Sequence, residues 1–208
     1  MVGILEQIDV LSHFANHTYV VDSKIKKAKN VEDLKAASKA LLNIINSLHS
    51  KGVKVNHISN LIGQLNTKVY QKLYELVLPK ELRDDACFIV MGSEGRNEQI
   101  IKTDQDNALV VKDGIDVEQY RPYMNEITNH LIDFGYPSCE GNIMVSNPFW
   151  CKTVGEYKNE TAKWIESPKM QNYMDLAIFF DSFAVVGNKE LLINLKDDLF
   201  NKLHDKDV

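Results

Sequence analysis

The period of the apolar residues changes near position 85. Before it, hydrophobic side chains recur every three or four positions over two stretches. Over 30–50 these are Leu34, Ala37, Leu41, Ile44, Ile45 and Leu48, behind Asn30 as N-cap and with Glu32 and Asp33 in the first turn, and Gly52 ends the pattern. Ile58, Leu61, Ile62, Leu65, Val69, Leu73 and Leu76 form a second stripe that stops at Pro79. Two amphipathic helices with a short connection predict a helical hairpin, either a connector to another domain or a lid on the core that follows.

Beyond that point continuous apolar runs appear. Ala86–Met91, closed by Gly92, and Asn107–Val111, closed by Lys112-Asp113-Gly114, predict buried strands. A helix is expected over 116–134, with Tyr120, Tyr123, Ile127, Leu131 and Phe134 inward and Gly135 at its end. Thr153 and Glu156 have capping-box spacing ahead of a helix carrying Tyr157 and Trp164, and Ser167-Pro168 suits the start of a short one. Ile178–Val186 is apolar and β-rich enough for a central strand. Asn188 caps a last helix with Leu191, Leu195, Leu199 and Leu203 in register. The order predicts an α+β fold: a mixed sheet flanked by helices and preceded by the hairpin.

Composition narrows the class. The chain has 208 residues, 44% hydrophobic and 25% charged, as an ordinary globular chain does. No stretch approaches the roughly 20 apolar residues of a membrane span; Leu176–Val186 is interrupted by Asp181. The N-terminus carries no export-signal pattern, and Cys87, Cys139 and Cys151 are odd in number and far apart. A cytoplasmic chain without a disulfide framework is expected. The net charge of −5 divides into +5 over 1–80 and −10 over 81–208. That split suggests two modules and argues against a nucleic-acid-binding face on the acidic one, which would need cations to handle phosphates.

The candidate chemistry lies in Met91-Gly92-Ser93-Glu94-Gly95-Arg96-Asn97-Glu98-Gln99 and in Asp104-Gln105-Asp106. Gly92 and Gly95 let backbone amides approach a phosphate, and Ser93 and Arg96 supply donors. The ending that defines a P-loop is missing. Asp104 and Asp106, with one residue between them, project from the same face of an extended segment. Two carboxylates that close repel unless cations lie between them, which points to Mg²⁺ or Mn²⁺ with a phosphate-bearing substrate. His13 and His17 have i, i+4 spacing but no carboxylate or thiol partner pattern, so they are not expected to hold a metal.

These motifs resemble the nucleotidyltransferase fold of the DNA polymerase β superfamily, particularly PII uridylyltransferases and glutamine synthetase adenylyltransferases. Closer still is a family of nucleotidyltransferase-like domains behind CBS domains in bacterial signalling proteins. The resemblance rests on Gly92–Gln99, Thr103–Asn107, Gly141–Pro148 and Phe179-Phe180-Asp181. It implies transfer of an NMP from ATP or UTP to a protein or small-molecule acceptor, or else a non-catalytic nucleotide-binding module that relays the state of CBS domains. It implies Asp104, Asp106 and Asp181 as catalytic metal ligands, with Asp175 as the alternative third carboxylate if the strand starts early. Nucleotide binding falls to Gly92, Ser93, Gly95, Arg96, Glu98 and Asn142, with Ser146 and Asn147 in the same polar loop. The family tends to place Arg two residues after the third Asp, where this chain has Phe183. Val2–Leu5 and Gln7–Leu11 resemble the closing strand and helix of a CBS domain. The expected division is a CBS remnant over 1–20, a helical connector over 21–80 and a C-terminally truncated nucleotidyltransferase-like domain over 81–208.

Overall fold

Alternate residues along each central strand enter different cores, and that alternation builds three layers. In the computed structural model, which describes residues 18–50, 55–95, 104–167 and 169–205, the strands are β1 (Ala86–Val90), β2 (Asn107–Val111), β3 (Cys151–Thr153) and β4 (Phe183–Gly187). They form one sheet in the order β3-β2-β1-β4. β1 runs antiparallel to both neighbours, whereas β3 pairs parallel to β2.

Phe88 and Val90 of β1 and Leu109 and Val111 of β2 face one core. It is closed by a helix over 18–27 (α1), α2 (Val31–Ser50), α3 (Val55–Val77) and α6 (Arg121–Asp133). Cys87, Ile89, Ala108 and Val110 face the other, closed by α7 (Val154–Glu166), α8 (Met170–Phe180) and α9 (Glu190–His204). Two four-residue helices, α4 (Lys80–Arg83) and α5 (Gly92–Gly95), flank β1. The hairpin of α2 and α3 therefore covers a face of the sheet. Polar contacts hold it there: Gln71 Nε2 donates to the Val185 carbonyl at 3.0 Å, and the buried Tyr136 hydroxyl donates to Asn66 Oδ1 at 2.7 Å.

Local signals act where they stand. Asn30 Oδ1 accepts from the Asp33 amide at 2.8 Å, and Thr153 and Glu156 complete the capping box of α7. Two expectations are corrected and one strand is new. The helix expected over 116–134 opens as a 3₁₀ turn, Val117–Tyr120, and becomes α-helical as α6 with Pro122 in its first turn, where the missing amide costs least. β3 was not anticipated. Ile178–Val186 is not one strand: α8 continues to Phe180, Asp181 caps it, and β4 starts at Phe183. Val2–Leu5, Gln7–Leu11, His13, His17, Gly52 and Pro168 lie outside the described residues.

Candidate active site

Strand direction decides what meets at the sheet edge. Val90, the last residue of β1, pairs with Asn107 at the start of β2 and with Phe183 at the start of β4. The exit of β1 and the entries of β2 and β4 therefore lie side by side, on strands spaced about 4.8 Å apart. The parallel β3 enters from the same edge. This gathers α5, the Asp104–Asp106 segment, the Asp181 turn and the loop before Trp150.

α5 is wedged between two of these segments. Gly92 has φ +56°, and a Cβ on it would lie 2.7 Å from Asp106 Oδ2. A Cβ on Gly95 would lie 2.0 Å from the Asp181 carbonyl oxygen. The glycines read as openings for phosphate are thus also the places where the turn touches its neighbours. Ser93 is half-buried beside them. Arg96 and Glu98 lie outside the described residues.

Asp104 is exposed and Asp106 half-buried, just ahead of β2 rather than within it. One ligand atom from each of Asp104, Asp106 and Cys139 lies within 4.8 Å of the others. Burial pushes the Asp106 carboxyl up, the hydrogen bond from the Cys139 thiol opposes this, and the charge of Asp104 raises it further. The residues interleaved with the aspartates face inward and hold the loop that brings Cys139. The Gln105 amide donates to the Pro137 carbonyl at 3.0 Å and its Nε2 to the Tyr136 carbonyl at 3.2 Å. The Asn107 amide donates to the Ile143 carbonyl at 3.1 Å, and its Oδ1 accepts from the Val145 amide at 2.8 Å. Cys139 was not anticipated; its place two residues before the Gly141–Pro148 motif was the available signal.

Asn142 is exposed at φ 55°, its amide donating to the Cys139 carbonyl at 3.0 Å. Asn147 Nδ2 donates to the Asn142 carbonyl at 2.9 Å, while Asn147 Oδ1 accepts from the Phe149 amide at 3.0 Å. Both asparagines shape the Cys139 loop. Asp181 ends α8 and does not belong to the converging group of Asp104, Asp106 and Cys139. Lys196 of α9 secures its turn, donating from Nζ to the carbonyls of Phe180 at 3.1 Å and Ser182 at 2.6 Å. Burial draws the Lys196 ammonium down and the Asp181 charge opposes that. Phe183, which opens β4 beside Asp181, is 48% exposed.

Asp175 lies within α8, so strand parity with Asp181 does not apply to it. It is buried, accepts from Gln171 Nε2 at 2.8 Å, and burial raises its carboxyl above the ordinary value. A raised carboxyl favours the folded state only while protonated. Its contribution is full below the unfolded value of about 3.9 and is lost as pH rises through the higher folded one. Asp175→Asn keeps the acceptor for Gln171 and removes the charge. It is expected to raise the melting temperature at neutral pH, with the gain vanishing as pH falls to about 4. Thermal melts across pH check this, and a lower melting temperature at pH 7 would count against it.

A protein-family model described as Putative nucleotidyltransferase DUF294 matches residues 39–171, nearly two thirds of the chain. The chain belongs to this family. No curated protein and no solved structure matches it. The matched region holds the Gly92-Ser93 turn, both aspartates and the Cys139 loop, and ends before Asp175 and Asp181. The protein thus carries a nucleotidyltransferase-type domain, and the donors at Asp104, Asp106 and Cys139 suit a divalent cation. Among the described residues no helix is long and apolar enough to cross a membrane.

Proposed function

We propose that the protein transfers a nucleoside monophosphate from ATP or UTP to a protein or small-molecule acceptor, with PII uridylyltransferase-like chemistry. The observation that carries this reading is the convergence of the Asp104 and Asp106 carboxylates beside the Gly92-Ser93 turn. Ser93 and the amides of the turn hold the β and γ phosphates, with Arg96, Glu98 and Asn142 assigned to the nucleotide as well. Asp104 and Asp106 hold one or two Mg²⁺ or Mn²⁺ ions, which supply charge neutralisation of the triphosphate and a lowered acceptor pKa. Asp181 is assigned, as the third carboxylate, to the ion that activates the acceptor. An acceptor hydroxyl forms a bond to the α-phosphorus, the bond from that phosphorus to the β-phosphate oxygen breaks, pyrophosphate leaves and the hydroxyl proton passes to solvent. Partnership with CBS domains and a role in bacterial signalling belong to the same proposal.

Phe183 favours a second reading, a regulatory module that binds nucleotide without turnover. Incubating the protein with labelled NTPs, Mg²⁺ or Mn²⁺ and cell extract separates the two. Labelled acceptor with released pyrophosphate supports the transferase; saturable binding with neither product supports the module. Ser93→Ala is expected to weaken nucleotide affinity by about 1 kcal/mol, the scale of one hydrogen bond. Asp181→Asn is expected to leave that affinity within a few-fold while cutting transfer about a hundredfold, as loss of one transition-state group does. Equal effects of Asp181→Asn on affinity and rate would remove it from the acceptor side.

A further inference from the structure

We propose that Cys139 is a direct ligand of the cation held by Asp104 and Asp106, making a mixed thiolate–carboxylate site that takes Zn²⁺, Co²⁺ or Cd²⁺ ahead of Mg²⁺. The inference rests on the proposed reading only in taking the two aspartates as metal ligands.

The three donor atoms lie within 4.8 Å of one another. Ligands bonded to one ion at about 2.0–2.3 Å in tetrahedral geometry stand roughly 3.3–3.8 Å apart, so side-chain rotations that move the donors by about an ångström close the set. The Cys139 thiol stands beside the Asp106 carboxylate, the two donor atoms within 4.8 Å of each other. On coordination a sulfur–metal bond forms and the thiol proton passes to solvent. The loop is not free to take the thiol elsewhere. Gln105 anchors it on one side of Cys139 through Tyr136 and Pro137, and Asn107 on the other through Ile143 and Val145. The residues that pin the loop are thus interleaved with the aspartates themselves.

The chemistry sets the preference. Mg²⁺ favours oxygen donors and gains little from sulfur, whereas borderline ions gain from a thiolate. Cys139 is also the half-exposed thiol of the three. Cys87 and Cys151 are buried in the sheet, their thiols pushed up to about 12 by burial.

The test uses the full chain and CdCl₂ without nucleotide, reading the sulfur-to-cadmium charge-transfer absorption in the near ultraviolet. The expected result is a band that saturates in the wild type and is absent in Cys139→Ser, where Cys87 and Cys151 remain as internal controls. No band in the wild type, or an equal one in the variant, overturns the proposal. In competition titrations Cys139→Ser is expected to weaken Zn²⁺ binding by about tenfold or more while shifting Mg²⁺ by less than about twofold. Equal losses for both ions overturn it. The wild type alone gives a further measurement that does not depend on the variant's folding. Zn²⁺ is expected to slow alkylation of Cys139 about tenfold, Mg²⁺ not to, and an unchanged rate with Zn²⁺ overturns the assignment. Binding of Mg²⁺-ATP and Mg²⁺-UTP is followed in parallel. Nucleotide binding without a cadmium band removes the thiol ligand and leaves the transferase reading; a band without nucleotide binding does the reverse.

Discussion

Asp104→Asn combined with Asp106→Asn is expected to reduce nucleotidyl transfer about a thousandfold or more, and to abolish stabilisation by Mg²⁺ with ATP or UTP. Without metal, the double variant is expected to be at least as stable as the wild type. Burial and the Asp104 charge both raise the Asp106 carboxyl, so the ionised form weighs against the folded state at neutral pH. Asparagine removes that penalty and still offers the Cys139 thiol an acceptor. Loss of activity with retained or improved stability is the signature of residues kept for chemistry. Thermal melts with and without metal and nucleotide, beside a transfer assay, measure both halves. A double variant with a full metal-dependent shift would place the ion elsewhere, and one that melts much lower without metal would make the aspartates structural.

Gly95→Ala is expected to be the most damaging one-carbon change at this edge, costing about 4 kcal/mol, at the upper end for single substitutions. Its Cβ would sit 2.0 Å from the Asp181 carbonyl oxygen, and the obstacle is backbone, which cannot rotate aside. The Asp181 turn is held from the far side by Lys196, so relief requires moving α5 or breaking the two lysine hydrogen bonds. Gly92→Ala meets a side-chain oxygen instead, at 2.7 Å and with φ +56°, so it combines backbone strain with displacement of the Asp106 carboxylate. Urea unfolding of Gly95→Ala gives the cost directly, and a loss below about 1 kcal/mol would show that the turn yields easily.

Much of the fold could be read from the chain because single signals were decisive. Asn30, the Thr153–Glu156 pair and the 3.6-residue stripes locate helices, and the unbroken apolar runs of β1 and β2 locate central strands. The misreading of Ile178–Val186 has a physical cause. α8 buries Asp175 and Phe179 yet exposes Met170, Tyr173, Met174 and Phe180, so apolar residues surround it and no period survives. β3 has only Cys151–Thr153, too short for any alternation to show. At the site, Asp104 and Asp106 were legible from their spacing after the Gly-Ser turn. Cys139 was marked only by its nearness to the Gly141–Pro148 motif, because the hydrogen bonds of Gln105 and Asn107 that bring it to the aspartates are not encoded in spacing along the chain.

Tyr136 joins two regions that the charge distribution had set apart. Its hydroxyl is bonded to Asn66 in α3, and its carbonyl to Gln105 between the two aspartates. Peeling the hairpin from the sheet strips that hydroxyl from its buried acceptor and opens the core beneath Phe88 and Leu109. Amides of α3 and of β2 are therefore expected to share one cooperative opening, with a common opening free energy in native-state hydrogen exchange, as a single foldon. The aspartate edge inherits its rigidity from a helix that contributes no residue to it.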